Sequence, residues 1–146
     1  NGSALQWATY PTFTETIPAF EVARLSSTST VTNSNWQTKL TCTITPSTSG
    51  TKLYVQMNGS ARSQKDSDNS VKQIQVRLRR ESTVLVTYAT TSTSSSTLLN
   101  LSFPYKDSYS HNGNQVTYTI QARFGGGGDD DPIILAGTSL VIQEIL

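Results

Sequence analysis

Residues 71–88, VKQIQVRLRRESTVLVTY, alternate between apolar and polar side chains in two successive runs. The apolar positions are Ile74, Val76 and Leu78 in the first run and Val84, Val86 and Tyr88 in the second. A short polar break at residues 81–83 separates the two runs. Period-two alternation on both sides of such a break is typical of a half-buried antiparallel hairpin. The stretch therefore predicts two paired strands whose apolar face packs on a core.

Similar alternation recurs along most of the chain, and turn-forming residues separate its segments. The other predicted strands lie at residues 19–25, 39–45, 52–58, 97–103, 115–124 and 133–146. No segment combines helical periodicity with helix caps. About eight or nine short strands separated by turns predict an all-β fold. An antiparallel β-sandwich, most economically a jelly roll, is the expected architecture.

The composition agrees with exposed strand faces and many turns. Hydrophobic residues make up 35% of the chain and charged residues 14%, against about 45–50% and 25% in ordinary globular proteins. The difference is made up by 42 Ser and Thr residues, which suit turns and solvent-facing strand positions. A chain of 146 residues fits one domain. We expect residues 1–18 to be an arm or linker and residues 19–146 to form the sandwich.

Charge and cysteine content limit the classes of partner. The formal net charge of +1 gives no electrostatic case for binding nucleic acid or an anionic membrane. No apolar run approaches the roughly 20 residues that a membrane-spanning helix needs, so membrane insertion is not expected. The single Cys42 excludes an internal disulfide and a cysteine-based metal cluster. Cys42 alternates with Leu40 and Ile44, which predicts a small buried residue.

The sequence contains no recognisable catalytic or metal-binding motif. His111, the only histidine, lies among turn residues in SHNGN, where we expect an exposed loop side chain rather than a triad member. Three adjacent aspartates at residues 129–131 lack the alternate spacing of calcium loops and favour a solvated acidic tip. Nucleotide-binding and metalloprotease signatures are also missing. We expect a protein that is not an enzyme and that uses no cofactor or metal.

Arg77, Arg79 and Arg80 form a basic cluster in the predicted hairpin. On the polar face of a strand, such residues commonly extend into solvent, pair with acids or protect a sheet edge. A site for an anionic sugar or phosphate is the alternative. Cover by a neighbouring subunit is a third interpretation.

The C-terminal stretch, residues 139–146 (SLVIQEIL), is apolar on both alternating sets. A strand that is apolar on both faces needs cover on both faces, and one small sandwich covers only one of them. This pattern predicts a homo-oligomer with the last strand at or near its axis. The candidate interface residues are Leu140, Ile142, Ile145 and Leu146.

Several stretches follow one another in an order that is also found in a known group of virion proteins. They are the polar stretch ending in Trp36, Ile44-Thr45-Pro46-Ser47, Lys52-Leu53-Tyr54-Val55, Val76-Arg77-Leu78-Arg79-Arg80, Ser82-Thr83-Val84 and residues 116–122 and 141–145. In this order they resemble the C-terminal head domains of marine bacteriophage tail fibres. Residues 1–8 are similar to the junction by which such heads follow a repetitive fibre shaft.

The resemblance implies a jelly-roll head, similar to tumour-necrosis-factor-like and complement globular-head domains, assembled as a homotrimer. It implies a place on the virion, at a tail fibre or on the capsid surface, in contact with other virion proteins. Receptor binding is the implied function, with a glycan or protein of the host surface as partner. A capsid-decoration or fibre-capping and trimerisation domain without a ligand is the alternative, and a stand-alone carbohydrate-binding module is a third. The Ser/Thr segments and GGGGDDDP depart from the pattern and correspond to variable surface loops.

If loops carry recognition, residues 104–114 are the best candidate, because this stretch combines aromatic and hydrogen-bonding side chains. Its candidate receptor-binding residues are Tyr105, Asp107, Tyr109, His111 and Asn112. The alternative is a polar connection whose tyrosines are anchored in the core.

Overall fold

A computed structural model of the chain describes residues 17–47, 52–65, 71–90, 97–108, 111–126 and 130–145. The strands in these segments are β1 (Phe20–Arg24), β2 (Ser29–Thr30), β3 (Gln37–Ile44), β4 (Lys52–Asn58), β5 (Ser60–Arg62), β6 (Gln64–Lys65), β7 (Val71–Arg80), β8 (Thr83–Ala89), β9 (Leu98–Asn100), β10 (Phe103–Asp107), β11 (Val116–Gly125), β12 (Ile133–Ile134) and β13 (Ser139–Ile145). All of their pairings are antiparallel, so the all-β prediction is confirmed. The described segments hold no helix long and apolar enough to cross a membrane.

The strands form two main sheets and a smaller third one. The first sheet has the order β1-β13-β4-β10, and the second has the order β3-β11-β7, with β8 and β6 both paired to β7. The third sheet has the order β2-β12-β5-β9. Each of its short strands is the sequence neighbour of one strand of the first sheet, in the same lateral order. The first and third sheets are therefore two halves of one four-stranded sheet whose strands are interrupted along a common line.

Gly59 lies at this line, between β4 and β5. Its φ of +147° belongs to a region that side chains disfavour. A Cβ at this position would lie 2.3 Å from the Thr138 Oγ1 atom and 2.7 Å from the Thr138 Cα atom. The break between β4 and β5 is thus packed directly against the break between β12 and β13. At Gly59 there is space for a hydrogen atom only.

Inward-facing side chains of both main sheets form one apolar core. Those that are fully buried include Val55, Met57, Leu140 and Ile142 from the first sheet, and Ile74, Val76, Leu78, Tyr118 and Ile120 from the second. The apolar face predicted for the first half of the hairpin is therefore confirmed. Cys42 is also buried in this core, as its alternation predicts. Two sheets contributing to one core are compatible with a β-sandwich.

The second half of the hairpin differs from the prediction at Val84. A register shift lies between Leu78, which pairs with Val86, and Arg79, which pairs with Val84. One extra residue, Leu85, is accommodated on β8, so the strand is bulged. The bulge places Val84 opposite the outward-facing Arg79, and Val84 is exposed instead of buried.

The C-terminal strand β13 has one face in the core and one face outside it. Leu140 and Ile142 are buried by the chain's own core, so an interface at this strand would use the other face. Ile145 is exposed on that outer face, and Leu146 lies outside the described residues. Val141 pairs there with the exposed Val22 of β1.

The inward position after Ile142 is occupied by Glu144, which is buried. Its carboxylate accepts hydrogen bonds from the Ala19 N–H at 2.8 Å, the Ser47 N–H at 3.0 Å and the Ser47 hydroxyl at 2.6 Å. Glu144 thus fixes the chain before β1 and the chain after β3 to the last strand. Such bonds to an ionised group are stronger than neutral ones.

Candidate functional site

The end of β10 brings one of the predicted site residues into the interior. Residues 103–107, most of which were predicted as loop, form a strand paired with β4, so that part of the loop prediction is wrong. Asp107 pairs with the buried Leu53 and lies on the same side of β10 as Phe103 and Tyr105. Its side chain is therefore directed towards the facing sheet, where it is almost completely buried.

Three side chains surround the Asp107 carboxylate. Arg80 Nη1 forms an ion pair with Asp107 Oδ1, and the Tyr118 hydroxyl donates to Oδ2 at 2.5 Å. His111 Nε2 lies 3.7 Å from Oδ2. Arg80 and Tyr118 are register partners on β7 and β11, so both project from the second sheet towards a carboxylate of the first. We call these four residues the Asp107 cluster.

Burial and charge set the protonation states in the Asp107 cluster. Burial, with the hydrogen bond to Asp107, raises the pKa of Tyr118 far above its usual value, so the phenol stays a proton donor. Burial lowers the pKa of His111, and the positive charges of Arg80 and Lys52 add to this effect against the attraction of Asp107. Burial also opposes the charge of Arg80, but the hydrogen bond and charge of Asp107 outweigh it and raise the Arg80 pKa. Because the pKa of His111 is lowered, its imidazole is neutral at neutral pH.

A recess of about 340 Å³ opens beside the Asp107 cluster, between the β7–β8 turn and the loop before β11. Arg80, His111 and Val116 line its inner wall. The exposed residues that line it are Glu81, Ser82, Thr83, Asn112, Asn114 and Gln115. Apart from Val116, the lining is polar, with amide and hydroxyl groups at the mouth.

The β7–β8 turn is anchored to the start of β11, and the loop before β11 is closed by a hydrogen bond of its own. Glu81 has a φ of +46°, which is unusual for a residue with a side chain. Its N–H donates to the Thr117 carbonyl at 2.9 Å, and its carboxylate accepts from the Thr117 N–H at 2.6 Å. In the other loop, Asn112 and Gly113 also have positive φ, which both residue types tolerate in tight turns. The Asn114 N–H closes that turn on the His111 carbonyl at 2.8 Å.

The predicted receptor-binding residues are separated by this arrangement. Asn112 lies on the exposed rim of the recess, and His111 forms part of its wall. The prediction of an exposed His111 is wrong, because only 6% of the residue is accessible. Tyr105 packs on the core and stacks with Phe103 at a ring distance of 6.3 Å, and Tyr109 lies outside the described residues.

Sequence reasoning missed Arg80 and Tyr118 as members of the site. By sequence, Arg80 belongs to the basic cluster with Arg77 and Arg79, and Tyr118 is one apolar position of an alternating strand. Strand pairing alone makes them neighbours, because Arg80 lies opposite Tyr118. The one available signal is alternation itself, since Arg80 shares its side of β7 with Leu78 and Val76, and an inward arginine needs a buried partner.

The rim of the recess presents hydroxyl and amide groups that can form hydrogen bonds. Asp107 already contacts Arg80, Tyr118 and His111, so its charge is engaged within the protein. Across the described segments, no group of three or more His, Cys, Asp and Glu side chains is placed to hold a metal ion. Asp131, from the predicted acidic tip, forms an ion pair with Lys72 at 2.7 Å.

Neither a protein-family model nor a curated protein matches the chain. The features that bear on function are therefore the recess, the Asp107 cluster and the outer sheet faces.

Proposed function

We propose that the protein is the head domain of a bacteriophage virion fibre and that it attaches the particle to the host cell surface. The observation that carries this proposal is the polar recess beside the Asp107 cluster. Its volume of about 340 Å³ lies near the lower end of the range for small-ligand sites, about 300–1,000 Å³. Its mouth offers hydroxyl and amide groups, which match the hydroxyl groups of a sugar. A glycan of the host surface is therefore the proposed ligand.

The proposed fold is a jelly-roll β-sandwich. A jelly roll distributes eight strands over two sheets through two Greek keys. In support, the long strands enter the two sheets in the sequence β1, β3, β4, β7–β8, β10, β11 and β13, changing sheet at every step except the β7–β8 hairpin. Residues 1–18 are proposed to be the arm that joins this head to a fibre shaft.

The Asp107 cluster supports the recess as a rigid binding surface. Arg80 and His111 belong both to the cluster and to the wall of the recess. The ion pair with the buried carboxylate holds Arg80 in one position, and burial restricts His111, so a ligand would bind with little loss of side-chain freedom. Weak binding by each copy is sufficient for strong attachment if the copies form a rigid oligomer. Once one copy has bound the surface, the others bind it intramolecularly.

A homotrimer is the proposed assembly. Phe20 and Val22 of β1 and Ile145 of β13 are exposed on the outer face of the first sheet, and Val141 lies beside Val22. Contiguous exposed apolar residues mark interaction surfaces in soluble proteins. This outer face, which we call the β1–β13 face, also favours a second candidate function. A capsid-decoration or fibre-capping and trimerisation domain without a ligand would need this face but not the recess.

An array of bacterial surface glycans, probed with the purified protein, separates the two functions. We expect binding to a subset of glycans, and we expect the combined substitutions Ser82→Ala and Gln115→Ala to weaken it about tenfold, because two hydrogen-bonding side chains are lost. Both residues are exposed on the rim, so folding should be retained. Ser27→Ala, an exposed serine between β1 and β2, is the matched control. Absence of glycan binding, or an equal loss with Ser27→Ala, would favour the purely structural function.

A further inference from the structure

Three arginines lie on the outer face of the second sheet, on the side opposite the core. Arg77 and Arg79 are two residues apart on β7, and Arg123 is on β11. Arg77 pairs with Gln121 and Arg123 pairs with Gln75, so arginine and glutamine alternate across the two strands. Trp36, just before β3, packs over this surface. We call Trp36, Arg77, Arg79, Gln121 and Arg123 the arginine face.

The hydrogen-bond partner that the arginines share is neutral. Gln121 Oε1 accepts from Arg77 Nε at 2.9 Å and Nη2 at 2.8 Å, and from Arg79 Nη1 at 3.4 Å. The Gln121 amide nitrogen donates to Thr38 Oγ1 at 3.1 Å, which fixes the orientation of the amide. A glutamate at this position would neutralise one arginine, whereas glutamine positions both guanidinium groups and leaves their charges in place.

Trp36 packs against two of the three arginines, Arg77 and Arg123. The guanidinium carbons of Arg77 and Arg123 lie 4.1 Å and 4.6 Å from the centre of the indole ring, within the range of cation–π contacts. Arg123 Nε also donates to Gln75 Oε1 at 2.7 Å. The three guanidinium groups are thus arranged by neutral side chains before any ligand arrives, which lowers the entropic cost of binding.

The charges on the arginine face are not compensated within the described residues. In the described residues, the basic side chains that lie near a carboxylate are Lys72, Arg80 and the neutral His111, and Arg77, Arg79 and Arg123 are not among them. Arg79 Nε is buried without a hydrogen-bond partner. Burial and the neighbouring charges of Arg79 and Arg123 lower the pKa of Arg77, although arginine stays protonated in proteins. Three uncompensated charges therefore lie together in a chain with a net charge of only +1.

We propose that the arginine face binds an acidic polysaccharide, a chain of sugars that carries sulfate or carboxylate groups. Guanidinium groups bind such oxyanions through paired hydrogen bonds. Side chains two residues apart on a strand are separated by about 6.8 Å, a spacing suited to charges on separate sugar units. Duplex DNA, with about one charge per 1.7 Å of axis, has a charge density that three arginines cannot match. This site is separate from the recess and does not depend on the function proposed for it.

Binding of the intact protein to dextran sulfate, polygalacturonate, neutral dextran and a DNA duplex tests this proposal. We expect binding to one or both acidic polysaccharides, no binding to neutral dextran, and an affinity that falls as salt is added. The two acidic probes distinguish sulfate from carboxylate recognition. Arg123→Gln should weaken binding about tenfold, because one charged hydrogen-bonding group is lost. Arg62→Gln, which removes the same charge from an exposed position on β5, should change it less than about twofold.

A second substitution, Arg77→Gln, repeats the test on the neighbouring strand, with thermal unfolding as the check on folding. Arg77→Lys should retain more affinity than Arg77→Gln, since it keeps the charge. The proposal is overturned by equal losses for Arg62→Gln and Arg123→Gln, because only net charge would then matter. Failure to bind either acidic polysaccharide, or tighter binding of DNA, also overturns it. So does a change of oligomeric mass in Arg123→Gln, which would make the face a subunit contact.

Discussion

The Tyr118 hydroxyl donates a hydrogen bond to the Asp107 carboxylate at 2.5 Å and so joins β11 of one main sheet to β10 of the other. The same carboxylate forms an ion pair with Arg80 of β7. A polar cluster therefore connects the two sheets at the base of the recess, next to the apolar core. Polar groups in such a position stabilise the fold only as long as each keeps its partner.

Asp107→Asn should lower the free energy of unfolding by about 3 kcal/mol, because it removes the buried negative charge that pairs with Arg80. Tyr118→Phe should cost about 1 kcal/mol, since it removes one hydrogen bond and leaves the ion pair intact. Urea denaturation at neutral pH measures both. Equal costs for the two substitutions would contradict the assignment of Arg80 and Asp107 as the dominant pair of the cluster.

Stability should decrease as the pH falls from 7 to 5, through protonation of His111. Its pKa is lowered in the folded protein, chiefly by burial, whereas the unfolded chain titrates near the ordinary value of about 6.5. As the pH falls through about 6.5, His111 is protonated in the unfolded chain before it is protonated in the folded protein, so the free energy of unfolding decreases. His111 is the only histidine, so His111→Gln should flatten the dependence between pH 7 and 5.5. An unchanged slope in His111→Gln, measured by denaturation at several pH values, would contradict this prediction.

The regular strands were predictable because alternation is a local property. Ile74, Val76 and Leu78 occupy successive inward positions of β7, and the sequence alone places them on one face. Val84 was not predictable, because a one-residue bulge moves it to the opposite face without any local signal. The same holds for pairing between distant segments. Asp107 and Arg80 are 27 residues apart in the chain, and only the order of the strands brings them together.

Buried charge was the other property that the sequence did not reveal. Glu144 occupies an inward position of β13, and an alternation argument assigns a charged residue to the surface. Its carboxylate is instead accommodated by Ser47 and the Ala19 N–H, partners that are 97 and 125 residues away. Such compensation depends on the completed fold, so the burial of Glu144 and Asp107 could not be derived from local pattern.

Alanine at three glycines should have graded effects on stability. Gly125→Ala should change the free energy of unfolding by less than about 0.5 kcal/mol, because nothing lies within 4 Å of the added methyl group and φ is not positive. Gly113→Ala also meets no atom but has a φ of +72°, so it should cost about 1 kcal/mol. Gly59→Ala should cost about 3 kcal/mol or more, because the methyl group would overlap the Thr138 backbone. Thermal unfolding should rank the variants in this order, and a mild Gly59→Ala would contradict the close packing of the two interruptions.

The proposed homotrimer predicts that a charge on the β1–β13 face will change the oligomeric mass without unfolding the chain. Phe20 is 57% exposed in a single chain, so Phe20→Lys should be tolerated by the monomer but should disfavour a contact that buries this face. Leu98→Lys is the matched control, because Leu98 is 59% exposed on β9, which lies at the edge of the third sheet opposite β2 and is therefore far from β1 in the strand order. Light scattering coupled to size exclusion should give a trimer mass for the unmodified protein and for Leu98→Lys, and a smaller mass for Phe20→Lys. A monomer mass for the unmodified protein would exclude the assembly, and a trimer mass for Phe20→Lys would move the interface elsewhere.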